Sequence, residues 1–168
     1  IIRNFFQMKI DIKDPKKILD IAAKLPPDIA KEFTKTYFQI QELDKKGSIQ
    51  HDFMGFVKHV WPDFIEGKHH QQIANKFNDI ATGKIKRLII NMPPRHTKSE
   101  FGSYLLPAWM VGRNPKLKII QSTNTTELSV RFGRKAKQLM DDPLYKEVFD
   151  TRLREDSQAA GKWETEQG

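Results

Sequence analysis

The chain has 168 residues, a formal net charge of +8 and no cysteine. Its length is enough for one domain with a real hydrophobic core. The lack of cysteine excludes disulfides and thiolate metal sites, and the positive charge favours a polyanionic partner without specifying one. The sequence contains neither an apolar run as long as a membrane span nor a recognisable signal peptide, so we predict no membrane association.

The segment from residue 1 to about 47 is predicted to be helical. Pro15 begins a first helix, Asp28 caps a second, and Gly47 is predicted to end the second. The apolar residues of the second helix follow helical spacing: Ile29, Phe33, Tyr37, Ile40 and Leu43. Two interpretations stay open for this segment, namely a docking arm for another subunit or a helical lid or linker that packs on the rest of the chain.

Two more helices are predicted between residues 52 and 83. The third helix has one apolar face, made of Phe53, Phe56, Val57 and Val60. Trp61-Pro62 closes it, because the residue before proline is disfavoured in helical geometry. The fourth helix places Ile73, Phe77 and Ile80 inward and ends at Gly83. The histidines of the chain show no His-x-x-x-His pair, so we predict no structural metal.

The run Leu88 to Ile90 is typical of a short buried strand, which the prolines at 93 and 94 end. A loop follows, then Lys98-Ser99, then the helix-like run EFGSYLLPAW. Strand, tight loop, Lys-Ser and helix form the layout of a phosphate-binding loop. Helix N-terminal amides attract phosphate oxygens, lysine adds a point charge, and a hydroxyl can ligate Mg²⁺. The general pattern has glycine where this chain has Met92 and Thr97, so only Lys98-Ser99 is kept.

The helix after this loop is predicted to bury Phe101, Leu105 and Trp109, and Pro107 should end or kink it. Residues 117–122, LKIIQS, form a second predicted strand. Two strands joined by a helix within about thirty residues are a βαβ unit and imply a parallel sheet.

A further helix is predicted to begin at a capping box of Asn124 and Glu127. Its inward residues are Leu128, Phe132, Ala136 and Leu139, and its outer face carries the basic residues Arg131, Arg134 and Lys135. Two interpretations of this basic face stay open. It contacts DNA phosphates or a neighbouring subunit's ATP, or it is simply a solvated helix face. A short helix starting at Asp142-Pro143 follows, and the tail from Thr151 is predicted to be loop or a partial edge strand.

The loop from Asn91 to Glu100 resembles that of the ATPase in the tailed-bacteriophage terminase large subunit, a DNA-packaging motor. That family writes its loop as Pro-Pro-Arg-x-Gly-Lys-Ser, often with His at x, then Glu and, further on, Pro-Ala-Trp. The matching residues here are Pro93, Pro94, Arg95, His96, Lys98, Ser99, Glu100, Pro107, Ala108 and Trp109. The resemblance begins near Asp52 and covers about two thirds of the chain. Its departure is Thr97, where the family usually has glycine.

The resemblance implies an α/β fold, a partial RecA-like P-loop ATPase core with parallel strands and flanking helices. It implies a helical N-terminal segment over residues 1–60 and the first part of the ATPase domain over 61–168. The acidic Walker B motif and the catalytic Glu would follow Gly168, as would a nuclease domain. We therefore expect this chain to bind nucleotide but to hydrolyse ATP poorly or not at all.

The resemblance also implies a site for ATP and Mg²⁺ built on the loop at 92–99. Arg95 and Lys98 are the candidate catalytic residues, and Ser99 is the candidate ligand of nucleotide-bound Mg²⁺. Further candidate nucleotide contacts are Pro94, His96, Thr97, Lys98, Ser99 and Glu100, with Phe64, His70 and Gln71 around the adenine. We predict a negative φ at Thr97, because the two prolines already fix the loop's entry.

The implied partners are double-stranded DNA, the portal protein of the procapsid and the small terminase subunit, with a homo-oligomeric ring for the full-length protein. The implied location is the cytoplasm of the host cell. Two other functions stay open: a different ATP-driven DNA translocase or helicase, and a non-enzymatic basic DNA-binding fragment. ATP binding that depends on Lys98 distinguishes the last of these from the others.

Overall fold

A computed structural model describes residues 14–159 and 161–168 of the chain. The part of the helical N-terminal prediction that falls on residues 1–13 lies outside the described residues. The chain divides into two compact units, one ending at Lys45 and one running from Lys46 to Gly168. The second unit contains the loop and every candidate site residue.

The described residues form helices and one short hairpin. The helices are α1 (Pro15–Ala22), α2 (Pro27–His51), α3 (Phe53–Val60), α4 (Lys68–Ala81), α5 (Lys98–Glu100), a π-helical turn (Phe101–Leu105), α6 (Leu106–Arg113), α7 (Thr126–Asp141) and α8 (Pro143–Val148). The strands are β1 (Leu153–Ala159) and β2 (Lys162–Thr165). They pair antiparallel, with Leu153 opposite Thr165 and a register shift between Leu153 and residue 158.

The prediction of a RecA-like α/β core with parallel strands is wrong. The sheet found in the described residues is the antiparallel pair β1–β2, and neither predicted strand, 88–90 or 117–122, belongs to a sheet. An apolar run becomes a strand only when a neighbour pairs with its backbone N–H and C=O groups. Here Ile89 is 86% exposed and Ile120 is 95% exposed, so these side chains are not buried as strand residues of a central sheet would be. The predicted βαβ unit is therefore also wrong.

An aromatic core holds the second unit together. The Phe53 ring lies 5.0 Å from Phe77, 5.5 Å from Phe101 and 5.4 Å from Trp109, measured between ring centroids, each in an edge-to-face arrangement. Such pairs add about 0.5–1.5 kcal/mol each beyond the area they bury. Phe53 thereby joins α3 to α4 and to the helices that follow the loop. Of the predicted inward residues of α3 and α4, Phe53, Phe56, Val57, Ile73 and Phe77 are buried, whereas Val60 and Ile80 are half-buried.

Hydrogen bonds fix the start of α3 against α4. The Asp52 carboxylate caps α3 by accepting from the Gly55 N–H at 2.8 Å. The Asn78 side chain of α4 donates to Asp52 Oδ1 at 2.8 Å and accepts from the Phe53 N–H at 2.9 Å. The two helices are thus held in register by polar groups as well as by their rings.

A continuous helical segment over residues 98–113 leads from the loop into the core. It does not end at Pro107 but widens into the π-helical turn just before it and then runs on to Arg113. Gly112 lies inside α6. At the far end, Trp109 is fully buried and its Nε1–H donates to the Ile49 carbonyl at 3.4 Å. The loop is therefore attached directly to the most buried part of the unit.

Four sequence predictions differ from the structure in detail. Asp28, predicted to cap α2, lies in the first turn of that helix. Gly47 does not end α2, which continues to His51. The N-cap of α7 is Thr125, whose hydroxyl accepts from the Leu128 N–H at 3.3 Å, and not Asn124. The tail from Thr151, expected as loop or a partial edge strand, forms the β1–β2 hairpin. The predicted helix start at Pro15 is confirmed, with Asp14 as its cap.

Candidate phosphate-binding loop

The loop between Met92 and Lys98 contains two residues in left-handed backbone geometry. Arg95 has φ 64° and Thr97 has φ 57°. The prediction of a negative φ at Thr97 is therefore wrong. The prolines fix the entry of the loop, but the chain must still turn sharply to start α5 at Lys98, and Thr97 supplies that turn as its N-cap residue. A left-handed conformation costs a β-branched residue about 1–2 kcal/mol, so something must hold it.

His70 holds Thr97 through a chain of hydrogen bonds. His70 Nδ1 accepts from the Gly67 N–H at 2.9 Å, which makes Nδ1 the unprotonated nitrogen of a neutral ring. His70 Nε2–H then donates to the Thr97 hydroxyl at 2.6 Å, and that hydroxyl donates to the His96 carbonyl at 2.7 Å. Each donor in this series of hydrogen bonds has an acceptor. The start of α4 is thereby tied to the turn that begins α5.

Lys98 and Ser99 lie at the start of the helical segment, as the sequence pattern predicted. Both side chains are exposed, and Lys98 Nζ folds back to donate to the Met92 carbonyl at 3.4 Å. The first helical bond is donated by the Phe101 N–H to the Thr97 carbonyl at 2.9 Å. The amides of residues 98–100 therefore precede that bond and have no acceptor within the helix. A cation and a row of unpaired amides thus meet at one end of the loop.

The loop is exposed from Pro93 to His96, whereas Thr97 is half-buried. The His96 ring donates from Nδ1 to the Pro94 carbonyl at 2.9 Å, which closes a short turn. The Arg95 side chain is exposed, and no ion pair to it occurs in the part of the chain that the structure describes. The loop therefore presents one guanidinium, one ammonium and one imidazole to solvent.

Two of the three adenine candidates, Phe64 and His70, belong to an aromatic cluster. The Phe64 ring lies 5.3 Å from Trp61, 4.9 Å from His70 and 5.4 Å from Phe101 between centroids. Phe64 is half-buried and His70 is buried, with both His70 ring nitrogens bonded to protein groups. Neither His70 nitrogen is therefore left to read a base edge. Gln71 donates to Asn75 Oδ1 at 3.0 Å, one turn along α4. The adenine contacts stay predictions.

Glu100 connects the loop helix to α7. Lys135 Nζ lies 3.1 Å and 2.9 Å from its two carboxylate oxygens and 5.0 Å from the centroid of the Tyr104 ring. Burial first, and then the nearby Glu100 carboxylate, raise the pKa of Tyr104 to about 12. Glu100 is therefore engaged by Lys135, and its nucleotide contact stays a prediction.

Of the three basic residues predicted on the outer face of α7, only two are exposed. Arg131 and Arg134 are exposed, and among the described residues neither forms an ion pair. They line a shallow groove with Thr126, Glu127, Val130, Lys135 and Gln138. Lys135, predicted on the same face, is half-buried because its ammonium turns toward Glu100. The face open to a partner is thus narrower than the sequence indicated.

Metal binding at this site would depend on the nucleotide. The described part of the chain holds no group of three or more His, Asp or Glu side chains that could bind a metal ion by themselves. Mg²⁺ takes oxygen ligands and is usually held by one or two protein groups plus substrate phosphates. The Ser99 hydroxyl, exposed in the first turn of α5, fits such a single ligand.

The helix start at Lys98 was predicted from the sequence, but the bond between His70 and Thr97 was not. The two residues are 27 positions apart, and no spacing rule joins a helix N-terminus to such a loop. Sequence reasoning also missed His69, whose ring packs 3.8 Å from that of His70 and whose Nε2 is buried without a hydrogen-bond partner in the described residues.

Comparisons with protein-family models, curated proteins and solved structures each found no match for this chain. Among the described residues, no helix is both long enough and apolar enough to cross a membrane.

Proposed function

We propose that this chain binds ATP with Mg²⁺ through the loop at 92–99, as the nucleotide-binding part of a terminase-type DNA-packaging motor. The observation that carries the proposal is the arrangement at the start of α5. Lys98 and Ser99 follow a left-handed residue, and the amides of 98–100 have no helical acceptor. Successive N–H groups at a left-handed to right-handed junction form a concave anion site, and a helix N-terminus adds positive potential.

Each candidate group has a distinct task in this proposal. Lys98 contacts the β- and γ-phosphates as a point charge, and Ser99 ligates the nucleotide-bound Mg²⁺. Arg95, exposed in the loop, offers a planar fork that bridges phosphate oxygens in a way an ammonium does not. Binding would replace the weak 3.4 Å contact of Lys98 with the Met92 carbonyl.

The acidic residues near the end of α7 do not supply the second motif that hydrolysis requires. Asp142 caps α8 by accepting from the Leu144 N–H at 2.8 Å, and Asp141 pairs with Lys146 at 3.3 Å. Hydrolysis by P-loop ATPases needs an acid for Mg²⁺ and a group that orients the attacking water. We therefore propose that this chain binds ATP and turns it over poorly or not at all.

Double-stranded DNA is the proposed polyanionic partner. The net charge of +8 and the exposed pair Arg131 and Arg134 support it. The portal protein, the small terminase subunit and a ring of identical subunits are proposed on the sequence resemblance alone.

A titration with a fluorescent ATP analogue tests the nucleotide site. We expect Lys98→Ala to remove most of the affinity, because the variant lacks the ammonium group that would contact the phosphates. Lys118→Ala, an exposed lysine outside the loop, is the matched control and should bind like the wild type. Equal affinity of wild type and Lys98→Ala would overturn the assignment. DNA binding without Lys98-dependent ATP binding would favour the alternative, a non-enzymatic DNA-binding fragment.

A further inference from the structure

Thr97 occupies a conformation that its side chain disfavours, and it does so next to the proposed phosphate site. Its φ of 57° places a β-branched residue in the left-handed region. Glycine would adopt this geometry without cost. The chain therefore needs a contact that compensates for the absence of glycine.

The hydrogen bonds around His70 supply that contact in one defined arrangement. Because Nδ1 accepts from Gly67, the proton of the neutral ring is on Nε2, where it meets the Thr97 hydroxyl at 2.6 Å. The hydroxyl proton is in turn directed to the His96 carbonyl at 2.7 Å. The Thr97 hydroxyl thus accepts from the His70 ring and donates to the His96 carbonyl, so it is fixed in place.

Packing keeps the His70 ring from leaving this position. The residue is 7% exposed, and its ring lies 4.9 Å from Phe64 and 5.2 Å from Phe101 between centroids. On the Gly67 side, an added Cβ would lie 2.9 Å from the His69 ring, so this corner admits only glycine without movement. A rigid donor at a fixed place is what a strained turn requires to stay formed.

We propose that His70 is a positioning residue of the nucleotide site, which acts by holding Thr97 in the left-handed turn that presents the amides of residues 98–100 to phosphate. This inference rests on the proposed nucleotide binding. It assigns the loop a substitute for its missing glycine, namely a threonine hydroxyl and a histidine from α4. His70 itself does not touch the phosphates.

Two substitutions at His70 separate its bond to Thr97 from its bond to Gly67. His70→Asn keeps an acceptor near Nδ1 for Gly67 but loses the donor to Thr97. His70→Gln keeps a donor near Nε2 but loses the Gly67 cap. We expect His70→Asn to weaken binding of the fluorescent ATP analogue about tenfold, the equivalent of one hydrogen bond. His70→Gln should lower thermal stability while its affinity stays within about threefold of the wild type.

A double-mutant cycle tests whether the effect passes through Thr97. Thr97→Val removes the hydroxyl and keeps the branched shape, and Thr97→Ser keeps the hydroxyl. We expect Thr97→Val to weaken binding as His70→Asn does, Thr97→Ser to bind like the wild type, and the double variant His70→Asn/Thr97→Val to bind no worse than either single variant. Additive losses in the double variant would show that His70 acts by another route and would overturn the inference. If His70→Asn fails to fold, the contrast between Thr97→Val and Thr97→Ser decides.

A measurement without nucleotide separates this inference from the proposed function. Nitrogen-15 NMR of the His70 ring should show a protonated Nε2 and an unprotonated Nδ1, and Thr97→Val should shift the Nε2 resonance. If the wild type fails to bind the ATP analogue while this signature is present, the proposed function falls and the His70–Thr97 contact stands. A ring protonated on Nδ1, or wild-type affinity in both His70→Asn and Thr97→Val, would overturn the inference.

Discussion

Gln121 donates a hydrogen bond from its side-chain Nε2 to the main-chain carbonyl of Ser103, with a length of 3.0 Å. In an α-helix that carbonyl would accept from the amide of residue 107, four positions on. Pro107 has no N–H, so the helical segment has no such donor to offer. The Gln121 side chain therefore donates to a carbonyl whose α-helical partner is missing, inside the π-helical turn Phe101–Leu105.

We expect Gln121→Leu to lower the free energy of unfolding by about 1–3 kcal/mol, because it leaves the Ser103 carbonyl without its partner. Urea denaturation measures the change. Gln72→Leu, an exposed glutamine on α4, is the control and should change stability by about 0.5 kcal/mol or less. Pro107→Ala restores an N–H at position 107, so it should recover part of the loss in the Gln121→Leu background. A loss of the same size in both glutamine variants would contradict the role of this bond.

The helical segment 98–113 contains two glycines, and we expect their substitution by alanine to have opposite effects on stability. A Cβ at Gly112 would lie 2.6 Å from the Phe149 ring and from the Tyr145 hydroxyl, whereas a Cβ at Gly102 would meet nothing within 4 Å. We expect Gly112→Ala to destabilise the chain by about 1–3 kcal/mol through overpacking. Gly102→Ala should be neutral or stabilising by up to about 1 kcal/mol. Thermal unfolding of both variants checks this, and equal melting temperatures would contradict the packing argument.

Stability should fall as the solution is acidified below neutral pH, because of His70. Burial lowers the pKa of His70 from its ordinary 6.5, and His69 and His96 lower it further, whereas Glu66 acts in the opposite direction. The folded state therefore prefers the neutral ring, and the unfolded state takes up a proton first as the pH falls through 6.5. The neutral His70 ring therefore makes its full contribution to the free energy of unfolding above pH 6.5. That contribution is lost as the pH falls toward the pKa of His70 in the folded state.

Urea midpoints measured between pH 8 and pH 5 check this expectation. His70→Asn removes the titrating ring, so its midpoint should depend less on pH across this range than that of the wild type. His51→Asn, at an exposed histidine outside the loop region, is the control. Identical pH dependence in wild type and His70→Asn would contradict the assignment.

The exposed arginines of α7 should contribute to DNA binding through phosphate contacts. We expect Arg131→Ala/Arg134→Ala to weaken binding to double-stranded DNA and to reduce the slope of log affinity against log salt by about 2, since each lost contact removes about 0.9. Arg152→Ala, an exposed arginine elsewhere in the second unit, is the control. Fluorescence anisotropy at several salt concentrations measures the slope. An unchanged slope would support the other interpretation, in which these residues form only a solvated helix face.

Helices were predictable from the sequence because their information is local. The apolar spacing of Phe53, Phe56 and Val57 and the helix start at Pro15 depend on residues within a few positions. The strands predicted at 88–90 and 117–122 are absent from the structure. A strand is defined by the partner it pairs with, and an apolar run in the sequence specifies no partner. The loop was found from the pair Lys98-Ser99 and its setting. Its left-handed turn at Thr97 was missed, because the histidine that stabilises it comes from a distant helix.

The ion pair between Glu100 and Lys135 gives the molecule a mechanical connection. Glu100 belongs to the first turn after the loop, and Lys135 lies one residue from Arg134 on α7. Both side chains are 32% exposed, so the pair is partly shielded from the solvent that weakens surface ion pairs. A rotation or axial shift of the loop helix would therefore pull on α7 and move its arginines. The loop that we propose to bind phosphate and the arginines that we propose to contact DNA are thus joined through one ion pair.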